Sequence, residues 1–167
     1  MTRNHFVVIG VVAAAIVGGA AVVSSQQPTA RPARPAAAPA PAAQANKVVV
    51  YKSPACLCCG KWIDYMRASG FTVEVHDQED VTPIKRASGV PEALESCHTA
   101  QIGGYVVEGH VPVEAIRRML RERPAIAGLA VPGMVAGTPG MEIGNQHPPY
   151  EVKSFTREGR TAVYERR

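Results

Sequence analysis

Three of the four cysteines, Cys56, Cys58 and Cys59, fall within four consecutive residues, and the fourth, Cys97, is followed directly by His98. The trio contains a Cys-x-x-Cys pair, a Cys-x-Cys pair and an adjacent pair. Thiolates are nucleophiles in disulfide exchange and soft ligands for metal ions, so the cluster has three readings. As an exchange site, Cys56 is a nucleophile favoured at a helix N-terminus and Cys59 resolves it. As a metal site, the thiolates of Cys56, Cys58, Cys59 and Cys97 hold a soft cation, Cu(I) first and Zn(II) second, with His98 a nitrogen ligand or a group just behind the thiols. As a scaffold, four cysteines form two disulfides, in one of three pairings. An exchange motif needs only two cysteines, so the third thiol and the Cys-His pair favour the metal.

The weaker candidates are His110, which could equally be a hydrogen-bonding loop residue, and the methionines Met134 and Met141 of two Pro-Gly-Met triplets seven residues apart. Thioethers suit Cu(I), but methionine also fills irregular packing. His76 and His147 have no clustered partner and read as solvated. Met66 and Met119 fall on apolar helix faces and read as core.

The elements that must position these groups follow from local pattern. Lys47–Tyr51 is a β-branched run and reads as a buried strand. Cys59–Ser69 carries Trp62, Ile63 and Met66 at helical spacing and ends before Gly70. Phe71–Val75 reads as a second strand, Thr82-Pro83 as a capped helix start, Pro91–Glu95 as a short turn and Gly104–Glu108 as a third strand. Val113–Glu122 places Ile116, Met119 and Leu120 on one face and arginines on the other. Tyr150–Phe155 and Thr161–Tyr164 flank a turn at Glu158-Gly159. The expected fold is a small thioredoxin-like α/β sheet with flanking helices and a C-terminal β-hairpin, the thiol loop lying between the first strand and helix.

Residues 1–25 read as a signal peptide or N-terminal membrane anchor: Arg3 precedes Phe6–Val23, an unbroken apolar run of 18 residues, long for a signal core and just long enough to span a bilayer. Residues 26–46 hold five Pro and nine Ala, a semi-rigid linker without a fold of its own. The domain occupies 47–167. An export signal followed by a tether places it in the periplasm or on the outer face of the inner membrane, with the membrane touched only through the N-terminal segment.

Charge narrows the partners. The formal net charge is +4, yet from Lys47 onward 15 basic residues face 14 acidic ones. With 5% aromatic residues, the domain has neither the charge nor the stacking rings of a nucleic-acid binder.

Four segments in order carry a family likeness: Val50–Trp62 with its Cys-Leu-Cys-Cys core, Ser96-Cys-His-Thr-Ala100, Gly104–Pro112 and Gly128–Met134. Together they resemble the DUF411 family of exported, metal-binding proteins, over nearly all of Val48–Tyr164. The resemblance implies copper handling and resistance, a chaperone or sequestering role, and copper efflux or delivery proteins as exchange partners. Leu57, Tyr65 and Val135 stand where the family usually has Gly, His and Pro.

Overall fold

The computed structural model describes residues 46–167, so the signal or anchor segment and nearly all of the linker lie outside the described residues. Strands β1 (Lys47–Lys52) and β2 (Thr72–Asp77) run parallel, joined by helix α1 (Leu57–Ala68). Helix α2 (Thr82–Ala87) and a 3-10 turn (Glu92–Leu94) lead into β3 (His98–Ile102), which returns antiparallel to β1 and turns through Gly103-Gly104 into β4 (Tyr105–Glu108). Helix α3 (Val113–Glu122) crosses to β5 (Gly128–Ala130), parallel to β4, and the hairpin β6 (Glu151–Phe155) and β7 (Thr161–Arg166) completes one mixed sheet of seven strands in the order β2-β1-β3-β4-β5-β6-β7. Among the described residues no helix is long and apolar enough to cross a membrane.

Alternation of side chains along each strand sets two layers on this sheet. Val48, Val50, Ala100, Ile102, Val107 and Leu129 point to one face and meet Trp62, Ile63 and Met66 of α1 and Ile116 and Met119 of α3 in the main core. On the other face a smaller cluster joins Val90, Leu94, Ala130 and Phe155. That face also carries Thr99 and Glu108, which sit opposite one another in the β3–β4 register and are covered by Lys85 of α2.

Several expected elements shift. Helix α1 begins at Leu57 rather than Cys59, with Cys56 in extended conformation as its cap, so Cys58 and Cys59 already lie in its first turn. Thr82 is the first residue of α2 rather than its cap; its N–H donates to Asp80 Oδ1 at 2.8 Å. Two strands carry no signal in the sequence, β3 and β5. His-Thr-Ala-Gln-Ile has little β-branched character and Gly-Leu-Ala is three residues long, so pairing on both sides, not propensity, makes them strands. His98 opens β3 and pairs with Lys52, with Cys97 in the bend directly before the strand.

Trp62 anchors α1 beneath this sheet. It is fully buried, and its Nε1–H donates to Val111 O at 3.0 Å. Trp62→Ala removes the ring and leaves that carbonyl unpaired, with an expected cost of about 3–5 kcal/mol, readable as a lower urea midpoint with an unchanged slope.

Candidate metal centre

The carboxyl end of β1, the first turn of α1 and the start of β3 converge at one end of the sheet. There the sulfurs of Cys56, Cys58, Cys59 and Cys97 all lie within 4.8 Å of one another. Cys56 and Cys59 are joined in a disulfide, while Cys58 and Cys97 are free thiols. Cys58 Sγ is 3.6 Å from Cys56 Sγ. Cys59 is buried and the other three are half-buried.

Cys97 belongs to a second group as well, with His98 and His110. Its sulfur is 3.3 Å from His98 Nδ1 and 3.1 Å from His110 Nε2. His110 Nδ1 lies 2.8 Å from Pro139 O. A carbonyl only accepts, so Nδ1 carries the His110 proton and the Nε2 lone pair faces the thiol. An imidazole whose remote N–H is held by a backbone carbonyl is the arrangement that orients histidine ligands in metal sites. His98 is fully buried and packs against Trp62, ring centroids 4.5 Å apart and planes tilted by 45°. Its Nε2 is buried with no hydrogen-bond partner among the described residues, although buried polar atoms are rarely left bare.

The electrostatics suit soft, neutral donors. Burial pushes the Cys97 thiol up to about 12, with Cys58 adding to the rise. Burial holds His98 well below the ordinary imidazole range, with His110, Lys85 and Lys52 contributing. Burial also lowers His110, against the opposing pull of Pro139 O. At neutral pH both rings are therefore uncharged and able to donate a lone pair, whereas Cys97 keeps its proton until a cation displaces it.

Around the thiols the second Pro-Gly-Met triplet folds back onto α1. Gly140 has φ +82°, and a Cβ there would stand 2.7 Å from Trp62 N, so glycine is what allows this segment to reach the helix. Met141 lines a shallow pocket of about 310 Å³ with Leu57, Cys58, Lys61, Glu142 and Ile143. Met134 instead is 55% exposed, next to Gly133, whose carbonyl accepts the Ser96 hydroxyl at 2.5 Å. The other residues singled out from the sequence lie elsewhere. His76 pairs with Glu74 at 2.6 Å, His147 is exposed, and Tyr65 uses its hydroxyl to accept the Val113 N–H at 3.0 Å, securing the first turn of α3. The structure brings His110 into the group with Cys97 and His98 and also holds a buried pair with no sequence signal, Lys85–Glu108 at 2.5 Å. A Gly-His-Val-Pro stretch directly after a strand was the available signal for His110.

Residues 94–141 match the family model described as protein of unknown function, DUF411. Two solved structures of copper resistance protein CopG, its forms 1 and 2, are each 41% identical to the chain with a TM-score of 0.69, covering 72% of this chain and 96% and 97% of theirs. No curated protein matches.

The high Cys97 value gives a pH dependence. Its proton is bound at neutral pH and leaves when metal binds, so raising the pH strengthens binding and lowering it weakens binding. Between pH 6 and 8 the apparent affinity of the reduced protein for Cu(I) or Zn(II) should climb by about tenfold per unit for each thiol proton displaced. Proton release measured with an indicator dye in weak buffer checks this; an affinity flat across that range would contradict it.

Proposed function

We propose that this chain, which belongs to the DUF411 family, binds copper as its cargo, as Cu(I), and serves as a chaperone or sequestering protein in copper tolerance. The observation that carries this reading is the meeting of four sulfurs within 4.8 Å with a Cys97-His98-His110 group that shares one of them. Sulfur and imidazole donors without a carboxylate favour a soft ion over a hard one. His98 Nδ1 and the His110 Nε2 lone pair, 3.3 Å and 3.1 Å from the Cys97 sulfur, supply nitrogen donors beside the thiols. Bound there, copper would exchange between thiolates without leaving the protein's shelter. The copper-resistance designation of the CopG structures supports the choice of metal.

The disulfide sets the condition for full capacity. With Cys56 and Cys59 oxidised, Cys58, Cys97 and the imidazoles remain; reduction by an external dithiol, which is itself oxidised to a disulfide, frees two further thiols. Cys56 at the cap of α1 and the thioredoxin-like placement of the loop after β1 also support a second reading, a thiol-disulfide oxidoreductase using Cys56 and Cys59. That reading draws on the disulfide itself and on Cys58 Sγ at 3.6 Å from Cys56 Sγ.

The N-terminal apolar run and the Pro/Ala linker support export to the periplasm, free or tethered to the inner membrane, with efflux or delivery proteins as exchange partners. A leader of this kind would put the thiols in an oxidising compartment, where the disulfide form persists until a reductant meets it.

Titration of the reduced protein against a chromophoric Cu(I) chelator tests the copper reading. The parent should retain copper against the chelator, the Cys56→Ser/Cys59→Ser/Cys97→Ser variant should lose affinity by at least about 100-fold, as expected when several soft ligands are removed together, and the protein should not catalyse insulin reduction. Equal affinity in the variant would overturn the reading, and catalytic insulin reduction without stoichiometric copper would favour the oxidoreductase.

A further inference from the structure

Behind the thiols, on the opposite face of the sheet, lies a charged network that the copper site does not touch. Glu108 is fully buried and Lys85 is 3% exposed. Lys85 Nζ donates to Glu108 Oε1 at 2.5 Å and to Thr99 Oγ1 at 3.2 Å, and Thr99 Oγ1 donates to Glu108 Oε2 at 2.6 Å. Oε1 also accepts the backbone N–H of Ser96 at 2.6 Å. The network is well satisfied, but stability alone does not account for it. Removing two charges from water costs several kcal/mol per ion, and a buried ion pair is often no more stabilising than apolar residues of the same volume.

Its geometry gives another account. Glu108 closes β4, two residues before His110, and the carboxylate reaches across to the peptide one residue before Cys97. The backbone between is bonded too, Gly109 N–H donating to His98 O at 2.9 Å. Gly109 has φ +69°, and a Cβ there would overlap the Ser96 side chain, so the two segments approach as closely as glycine permits. Ser96 donates its hydroxyl to Gly133 O at 2.5 Å. Residue 96 is thus held at its N–H by Glu108 and at its hydroxyl by the loop before Met134, and the thiol it leads into is aimed at His110.

We infer that Glu108 is a positioning residue for the metal centre: through the Ser96 N–H it fixes the segment bearing Cys97 against the segment bearing His110, with Lys85 bonded to the same carboxylate to hold it in place. The inference rests on the copper reading for its consequence and on the hydrogen bonds for its mechanism. A group that holds a ligand without touching the metal typically changes affinity by about 10–100-fold when it is lost.

Two paired variants separate positioning from charge. Lys85→Met/Glu108→Gln removes both charges and keeps an oxygen to accept the Ser96 N–H; Lys85→Met/Glu108→Leu removes the acceptor as well. In chelator competition with reduced full-length protein, the first should bind Cu(I) within about threefold of the parent and the second about 10–100-fold more weakly. In a Cys97→Ser background the two should bind equally. Equal affinities with Cys97 present, or an undiminished difference without it, would overturn the inference. Should the leucine variant fail to fold, Glu108→Asp keeps both charges but withdraws the carboxylate from Ser96, and an unchanged affinity there would overturn it as well. A parent that binds no Cu(I) refutes the copper reading, and the positioning role is then judged by alkylation of Cys97 in copper-free Cys58→Ser protein. The rate should rise at least about tenfold in the leucine variant and not in the glutamine one; equal rates would contradict it.

Discussion

One sulfur atom joins the two halves of this site. Cys97 Sγ stands 3.1 Å from His110 Nε2 and 3.3 Å from His98 Nδ1, and it also belongs to the group of four sulfurs that includes Cys56, Cys58 and Cys59. Without the antiparallel pairing of β3 to both β1 and β4, the thiol loop and the Gly-His-Val-Pro stretch would have no reason to meet. The middle of the sheet is therefore what brings Cys97 and His110 to thiols 38 to 54 positions away in the chain. Helix α1 and the folded-back Gly140 segment then close it from the sides. Apolar packing around Trp62 anchors α1 beside the site, and one half-buried thiol is shared by the two groups.

Burial does double duty in this arrangement. It keeps both imidazoles neutral and the Cys97 thiol protonated, so the empty site carries little charge that an apolar surrounding would penalise. A soft cation changes the balance by displacing thiol protons, and the thiolates so formed neutralise it. The disulfide between Cys56 and Cys59 adds a redox condition to the acid-base one. Two of the four sulfurs are held in that bond and become thiols only when electrons are supplied. Cys58 is half-buried and directly follows Leu57, which is 84% exposed.

How much of this was legible in the sequence follows from whether the signal was local. The four cysteines and His98 stood out because three thiols in four residues have no packing explanation, and the flanking strand and helix could be read from β-branched and 3.6-residue spacing. β3 was invisible because its residues form a strand only by virtue of neighbours on both sides. His110 looked ordinary because its role depends on Pro139, 29 positions away. Nothing local marks Lys85 and Glu108 as partners; only the covering of the second sheet face by α2 brings them together. Site residues were visible as chemistry, whereas the groups that hold them were visible only as geometry.

The account turns on sulfur and imidazole donors meeting at Cys97, and X-ray absorption at the copper edge of the reduced, copper-loaded protein examines that most directly. It predicts a copper shell dominated by sulfur, with the outer-shell scattering of imidazole, and a loss of sulfur in Cys97→Ser. A shell of oxygen and nitrogen alone, or a spectrum that Cys97→Ser leaves unchanged, would contradict it.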